Sequence, residues 1–240
     1  MTKKYPIIFT VILLLVGIIY IFSHNSDDKA LRKADDLYKS GQYTSAFNLY
    51  RELAEKDNIK AQRKMGDFYY NTSTQRKDYG QALYWYTKSA KQGDRDAQYE
   101  LASLYFSGKG TKKNYKEAVY WLTKSAEQDH VKAQDVLGWV YREGTMYGLP
   151  KDYVKAEYWY KKAADQGYAP ASTNIAKMYD RYSLLPPDGK KAIYWYTKAA
   201  ELGDVFAQNQ LSRKYHFGVD VPRDEKKAEY WAQKASERRN

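Results

Sequence analysis

The residues able to carry acid–base, nucleophilic or metal chemistry are few and scattered. Cysteine is absent from the 240 residues, which removes a thiol nucleophile, thiolate zinc sites and a disulfide framework. The three histidines, His24, His130 and His216, lie far apart in sequence. None has a second histidine at metal-ligand spacing, so no metal site is expected. Gly108-Lys109-Gly110-Thr111-Lys112 has the composition of a phosphate loop, but the G-x-x-x-x-G-K-[ST] spacing and a preceding strand are missing. Paired acids such as Asp35 and Asp36 read as helix-surface residues. The expectation is a chain that is not an enzyme and takes no cofactor. What the side chains do offer is recognition. Trp139, Tyr70, Tyr99 and Phe106 accompany Arg63, Arg142, Lys177 and Arg213, and aromatic residues with arginine neighbours are the composition of an interaction hot spot.

The elements that must position these residues are set by a repeat. QALYWYTKSA at Gln81–Ala90 recurs as EAVYWLTKSA, KAEYWYKKAA, KAIYWYTKAA and KAEYWAQKAS, with tryptophan at 85, 121, 159, 195 and 231, in steps of 36, 38, 36 and 36. A fixed period in this range means stacked supersecondary units. Between these segments runs a second pattern with apolar residues four apart: Ala61/Met65/Tyr69, Ala97/Leu101/Tyr105, Ala133/Leu137/Tyr141, Ala171/Ile175/Tyr179 and Ala207/Leu211/Tyr215. Such spacing is one face of a helix. The next residue after each middle one is small (Gly66, Ala102, Gly138, Ala176, Ser212), which lets a partner helix come close. Each unit is therefore a helical hairpin.

Asp78, Asn114, Asp152, Asp188 and Asp224 precede the tryptophan helices by one offset, as N-caps should. Gly93, Gly167 and Gly203, with Asp57 and Asp129 in their place elsewhere, follow a helix where a left-handed backbone is needed. The five repeated tryptophans are expected to be interior fasteners. Tyr84, Tyr120, Tyr158, Tyr194 and Tyr230 are expected on the outer surface, lying on lysine stems. Repetition fails in two turns that lack glycine, after Tyr69 and after Tyr179, and in Gly144–Asp152, which carries two extra residues. The first unit, Ala30/Ala34/Tyr38 with Ala46/Leu49/Ala54, has a shorter turn and reads as a cap.

This pattern resembles the Sel1-like repeat, a relative of the tetratricopeptide repeat, over about residues 30–238. Leu101, Tyr105, Gly108, Gly110, Asn114, Tyr115, Ala118, Trp121 and Ala126 match the family's features most fully. The resemblance implies an all-α fold, a right-handed α-solenoid of about six helical hairpins, and a protein–protein interaction module. In such arrays the face opposite the apolar stripe of each first helix is the concave wall. The residues that fall there and are expected to bind a partner are Arg63, Tyr70, Tyr99, Phe106, Asp135, Trp139, Arg142, Lys177, Arg213 and His216.

The amino terminus divides into a basic segment (1–5), an uncharged run (6–22) and a polar linker (23–29), followed by the repeats (30–240). Seventeen helical residues cover about 26 Å, near the lower limit for a bilayer core. Residues 6–22 are therefore expected to be a transmembrane anchor or uncleaved signal. Lys3 and Lys4 should remain cytoplasmic, which places the repeats in the periplasm as the body of a single-pass inner-membrane protein. The net charge of +11 is spread through every repeat rather than clustered, so no nucleic-acid partner is expected. The expected function is a membrane-tethered adaptor for a partner protein. Its alternatives are an immunity protein that neutralises a periplasm-delivered toxin, such as a phospholipase of a type VI secretion system, as the resemblance implies, and a binder of cell wall or anionic polymer. The oligomeric state stays open.

Overall fold

A computed structural model describes residues 26–71, 77–180 and 187–237. The expected anchor at 6–22 lies outside the described residues. Among those described, no helix is long and apolar enough to cross a membrane.

Among the described residues all regular structure is helical. The elements are α1 (26–39), α2 (Tyr43–Glu55), α3 (Ile59–Asn71), α4 (Tyr79–Lys91), α5 (Arg95–Ser107), α6 (Tyr115–Glu127), α7 (Val131–Glu143), α8 (Tyr153–Asp165), α9 (Ala169–Tyr179), α10 (Gly189–Glu201), α11 (Val205–Phe217) and α12 (Glu225–Glu237), with a short 3-10 turn at Gly144–Tyr147. They form two compact units. Of the described residues, the first comprises those up to Leu104 together with Gly108–Lys112; the second comprises Tyr105–Ser107 and those from Lys113 onward. In the first unit α3 packs on α2 and α4. In the second, each helix from α6 to α12 packs on the next.

Local chemistry sets the helix ends. Asp78, Asn114, Asp152, Asp188 and Asp224 each accept the amide N–H three residues on, at 2.9–3.1 Å, which satisfies one of the donors that a helix start leaves unpaired. The left-handed positions also fall where the sequence places them, at Gly93, Gly167 and Gly203 and at Asp57 and Asp129.

Packing corrects one expectation. Trp85 and Trp195 are buried, but Trp121, Trp159 and Trp231 are only half-buried. The deepest large side chain is the residue after the tryptophan. Tyr86, Tyr160 and Tyr196 are 0–1 % exposed. Tyr86 lies across Gly66 and Tyr160 across Gly138, where a Cβ would stand 2.5 Å and 2.7 Å from the ring. The small residue of α3 and that of α7 therefore each seat a tyrosine ring, while the tryptophan packs beside it.

A second interior device is polar. The residue after the first-helix alanine is a buried glutamine in four places, and its Nε2 donates back to the end of the preceding hairpin. Gln62 donates to Ala54 and Gln98 to Ala90 in the first unit; Gln134 donates to Ala126 and Gln208 to Ala200 in the second, all at 3.0–3.2 Å. These bonds satisfy carbonyls that a helix C-terminus leaves open. In α9 the position is Ser172, too short to reach, and its hydroxyl is unpartnered among the described residues.

Candidate functional site

The second unit carries an aromatic cluster that the repeat does not require. Trp139, on α7, is 37 % exposed, and its ring rests 5.1 Å from that of Tyr147. Tyr147 in turn stands edge-on to Phe106 at 5.5 Å and to Tyr115 at 5.4 Å. Edge-to-face rings at these separations are mutually attractive, by about 1 kcal/mol a pair. Tyr147 is buried at the centre of the group, and Trp139 is its accessible edge.

The extra residues of Gly144–Asp152 are what deliver Tyr147. Gly144 has a φ of +49°, and a Cβ there would run into the backbone of Lys151, so only glycine allows the chain to fold back so tightly. The 3-10 turn that follows ends on Tyr147. The turn still closes as the others do, with the Asp152 amide donating to the Tyr141 carbonyl at 2.9 Å. The insertion thus leaves the hairpin intact and adds one aromatic side chain beneath Trp139.

Polar groups border this cluster. Asp135 accepts from Asn174 Nδ2 at 3.0 Å. Burial holds its carboxyl above the ordinary carboxylate range, opposed by the Asn174 hydrogen bond and by Arg142. Arg142 pairs with Glu143 at 2.9 Å. The Tyr160 hydroxyl is buried and unpartnered among the described residues, as is that of Thr173. Leaving such a donor unmade costs about 1–3 kcal/mol. Burial is also the main cause that pushes the Tyr160 hydroxyl pKa up, opposed by Arg142 and reinforced by Asp135 and Glu143.

The predicted wall residues divide between the two units. In the first, Arg63 is held by acids, 3.2 Å from Asp94, 3.6 Å from Asp96 and 4.0 Å from Asp67. Tyr70 accepts a hydrogen bond from Lys109 at 3.1 Å and stands against Tyr79. Tyr99 is half-buried on α5. In the second unit, Phe106 and Trp139 meet through Tyr147, with Asp135 and Arg142 on the same helix as Trp139. Lys177 lies over the exposed Phe206 ring at 4.2 Å, Arg213 is exposed, and His216 bonds Glu225 at 2.9 Å. Sequence reasoning missed Tyr115 and Tyr147; the two extra residues in the turn were the available signal.

The outer tyrosines stand as expected. Tyr84, Tyr120, Tyr158, Tyr194 and Tyr230 are 50–53 % exposed, each edge-on to the following tryptophan at 4.9–5.2 Å. Lys88, Lys162 and Lys198 lie over three of the rings. Among the described residues no group of three or more His, Asp or Glu side chains is placed to hold a metal ion.

Known proteins share this architecture. A structure of a Sel1 repeat protein from Oxalobacter formigenes is 33% identical, with a TM-score of 0.78, and the match covers 85% of this chain and 84% of that one. The structure of c5321, a protective antigen of uropathogenic Escherichia coli displaying an SLR fold, is 29% identical with a TM-score of 0.83 over 94% of this chain. The match covers 49% of c5321, so the chain spans about half the length of that relative. Immunity protein Pa5087 of Pseudomonas aeruginosa is 22% identical with a TM-score of 0.51, over 88% of this chain and 81% of that one, which is a likeness of fold alone. A comparison with curated proteins finds no match. Five successive stretches, residues 59–94, 95–130, 131–168, 169–204 and 205–240, match the Sel1 repeat, and with hairpins of the same build the chain belongs to the Sel1-repeat family.

Proposed function

We propose that this chain is a non-catalytic adaptor that holds a partner protein on the second-unit face around Trp139, and that residues 6–22 tether it to the inner membrane with the repeats in the periplasm. The observation that carries the binding reading is the aromatic cluster. An inserted turn places Tyr147 under a tryptophan that stays more than a third exposed, although neither residue belongs to the repeated packing scheme. A rigid aromatic platform with one exposed edge, bordered by Arg142 and Asp135, has the character of an interaction hot spot.

The test is capture of partners by the full chain from its own cell envelope, compared with Trp139→Ala. The variant should lose the specific partner while helicity is unchanged and stability falls by about 1 kcal/mol, the scale of one exposed aromatic pair. Undiminished capture by Trp139→Ala would place the binding face elsewhere. Capture that collapses between low and moderate salt would favour an anionic polymer instead.

A narrower reading makes the chain an immunity protein against a toxin delivered to the periplasm. The apolar segment 6–22 and the fold shared with Pseudomonas aeruginosa immunity proteins are compatible with it. Co-expression in the periplasm with the product of a neighbouring effector gene is the decisive trial. Protection supports the reading, and killing that proceeds unchecked removes it.

A further inference from the structure

Three buried tyrosines share one arrangement, a carboxylate that accepts from the hydroxyl and a cation near that carboxylate. Tyr50 donates to Asp35 at 2.7 Å, with Lys64 3.6 Å from that carboxylate. Tyr86 donates to Asp67 at 2.9 Å, with Arg63 at 4.0 Å. Tyr196 donates to Asp180 at 3.1 Å, with Lys214 at 2.8 Å. The hairpin α7/α8 keeps two of the three parts. Tyr160 fills the tyrosine position, fully buried across Gly138, and Arg142, four positions after Gly138 on α7, is a neighbouring cation whose charge opposes the upward push of burial on the hydroxyl pKa.

The carboxylate is missing for a readable reason. Asp67 follows the small residue Gly66 by one position, and Asp180 follows Ala176 by four. The same two positions after Gly138 hold Trp139 and Arg142. The nearby acids are engaged elsewhere, Asp135 with Asn174 at 3.0 Å and Glu143 with Arg142 at 2.9 Å. The Tyr160 hydroxyl is left without an acceptor among the described residues.

We propose that the partner supplies the missing part: an acidic side chain that accepts from the Tyr160 hydroxyl and pairs with Arg142, beside the indole of Trp139. This rests on the partner-binding reading above and names the chemistry recognised. A carboxylate is favoured because each completed copy uses one, held in each case by a cation. Lys177 and Arg213 on the same unit add positive charge, although Lys177 also lies over Phe206. Glu143, a third of whose side chain is exposed, returns to water when Arg142 changes partner. The acid enters as Arg142, a quarter exposed, turns from Glu143 toward it.

The test uses the full chain, fluorescein-labelled hexaglutamate, hexaglutamine and hexalysine peptides, and the variants Tyr160→Phe, Tyr86→Phe and Arg142→Gln. Fluorescence anisotropy should show hexaglutamate bound in preference to the other two. Tyr160→Phe and Arg142→Gln should each weaken that binding about tenfold, the effect of one hydrogen bond to a charged group. Thermal melting supplies a second readout. Tyr86→Phe should lower the melting temperature and leave peptide binding unchanged, whereas Tyr160→Phe should not lower it, because no bond is lost in the free chain. Equal binding of hexaglutamine overturns the proposal, and so does a Tyr160→Phe melting loss as large as that of Tyr86→Phe. If Trp139→Ala abolishes envelope capture while Tyr160→Phe leaves capture and hexaglutamate binding intact, the adaptor reading stands and the carboxylate assignment falls.

Discussion

Hairpins α7/α8 and α9/α10 are adjacent and follow one plan, yet they treat their buried tyrosine hydroxyls in opposite ways. In α9/α10 the Tyr196 hydroxyl, Asp180, Lys214 of α11 and Asp220 close into a buried network with contacts of 2.6–3.1 Å. In α7/α8 the corresponding hydroxyl has no acceptor among the described residues, and an indole and a guanidinium stand where carboxylates are found elsewhere. A repeat protein needs every interface to hold, but not every interface to be optimal. In α9/α10 the tyrosine network closes internally, although the Ser172 and Thr173 hydroxyls of α9 are unpartnered among the described residues. Hairpin α7/α8, whose tyrosine hydroxyl is unpartnered among the described residues, is the one on which the binding proposal rests.

The sharpest way to break this comparison is at Lys214. It occupies a helix position that is Leu104, Val140 and Met178 in the preceding repeats, all buried, and its side chain is only 7 % exposed. Lys214→Ala removes the cation shared by two largely buried carboxylates and should cost about 3 kcal/mol, measured as a shift in urea midpoint. A loss under about 1 kcal/mol would mean that the network is not what holds α9/α10 to α11. Gly138→Ala comes next. Its new methyl meets the Tyr160 ring, and overpacking of this kind costs about 1–2 kcal/mol. Ala176 already faces the Tyr196 hairpin, so a negligible cost would show that Tyr160 can take the same position, leaving only the hydrogen bond to tell the hairpins apart. The smallest effect is expected at His130, whose Nδ1 caps α7 by accepting from the Ala133 amide at 3.1 Å. Asp94 and Asp204 cap the matching helices at 2.8 Å and 2.7 Å. His130→Asp should stabilise by about 0.5 kcal/mol, seen as a small rise in melting temperature.

What the sequence revealed and what it hid follow from the range of the forces involved. The caps at Asp78, Asn114, Asp152, Asp188 and Asp224 and the left-handed turns at Asp57 and Asp129 depend on neighbours within a few residues, so spacing alone located them. The outer tyrosines were legible for the same reason, because helical period fixes which face they occupy. The rank of tyrosine over tryptophan in the interior was not legible. It depends on which ring lies directly across the small residue of the partner helix, and that is a property of helix packing. The pairings Gly66 with Tyr86 and Gly138 with Tyr160 were the readable trace of it. Arg63 shows a further limit. As a basic residue on the predicted wall it was a natural binding candidate, but Asp94, 31 positions later, holds it at 3.2 Å. Trp139 stood out in the sequence as an exception to the pattern, and it is 37 % exposed. Its support by Tyr147 was hidden, because the path of an inserted turn depends on a backbone conformation at Gly144 that differs from those of the described equivalents Gly108 and Gly218.

The turn closures have a consequence of another kind. A single main-chain bond, from the amide of the capping residue to the carbonyl of the last first-helix tyrosine, joins Asp78 to Tyr69, Asn114 to Tyr105, Asp188 to Tyr179 and Asp224 to Tyr215, nine positions apart, and Asp152 to Tyr141, eleven apart. The clasp is indifferent to what it encloses. The closure survives a longer loop at Gly144–Asp152, so a turn whose residues do not themselves bond the helices, unlike those holding Asp180 and Asp220, is a slot into which a lineage, or a protein engineer, can splice new elements.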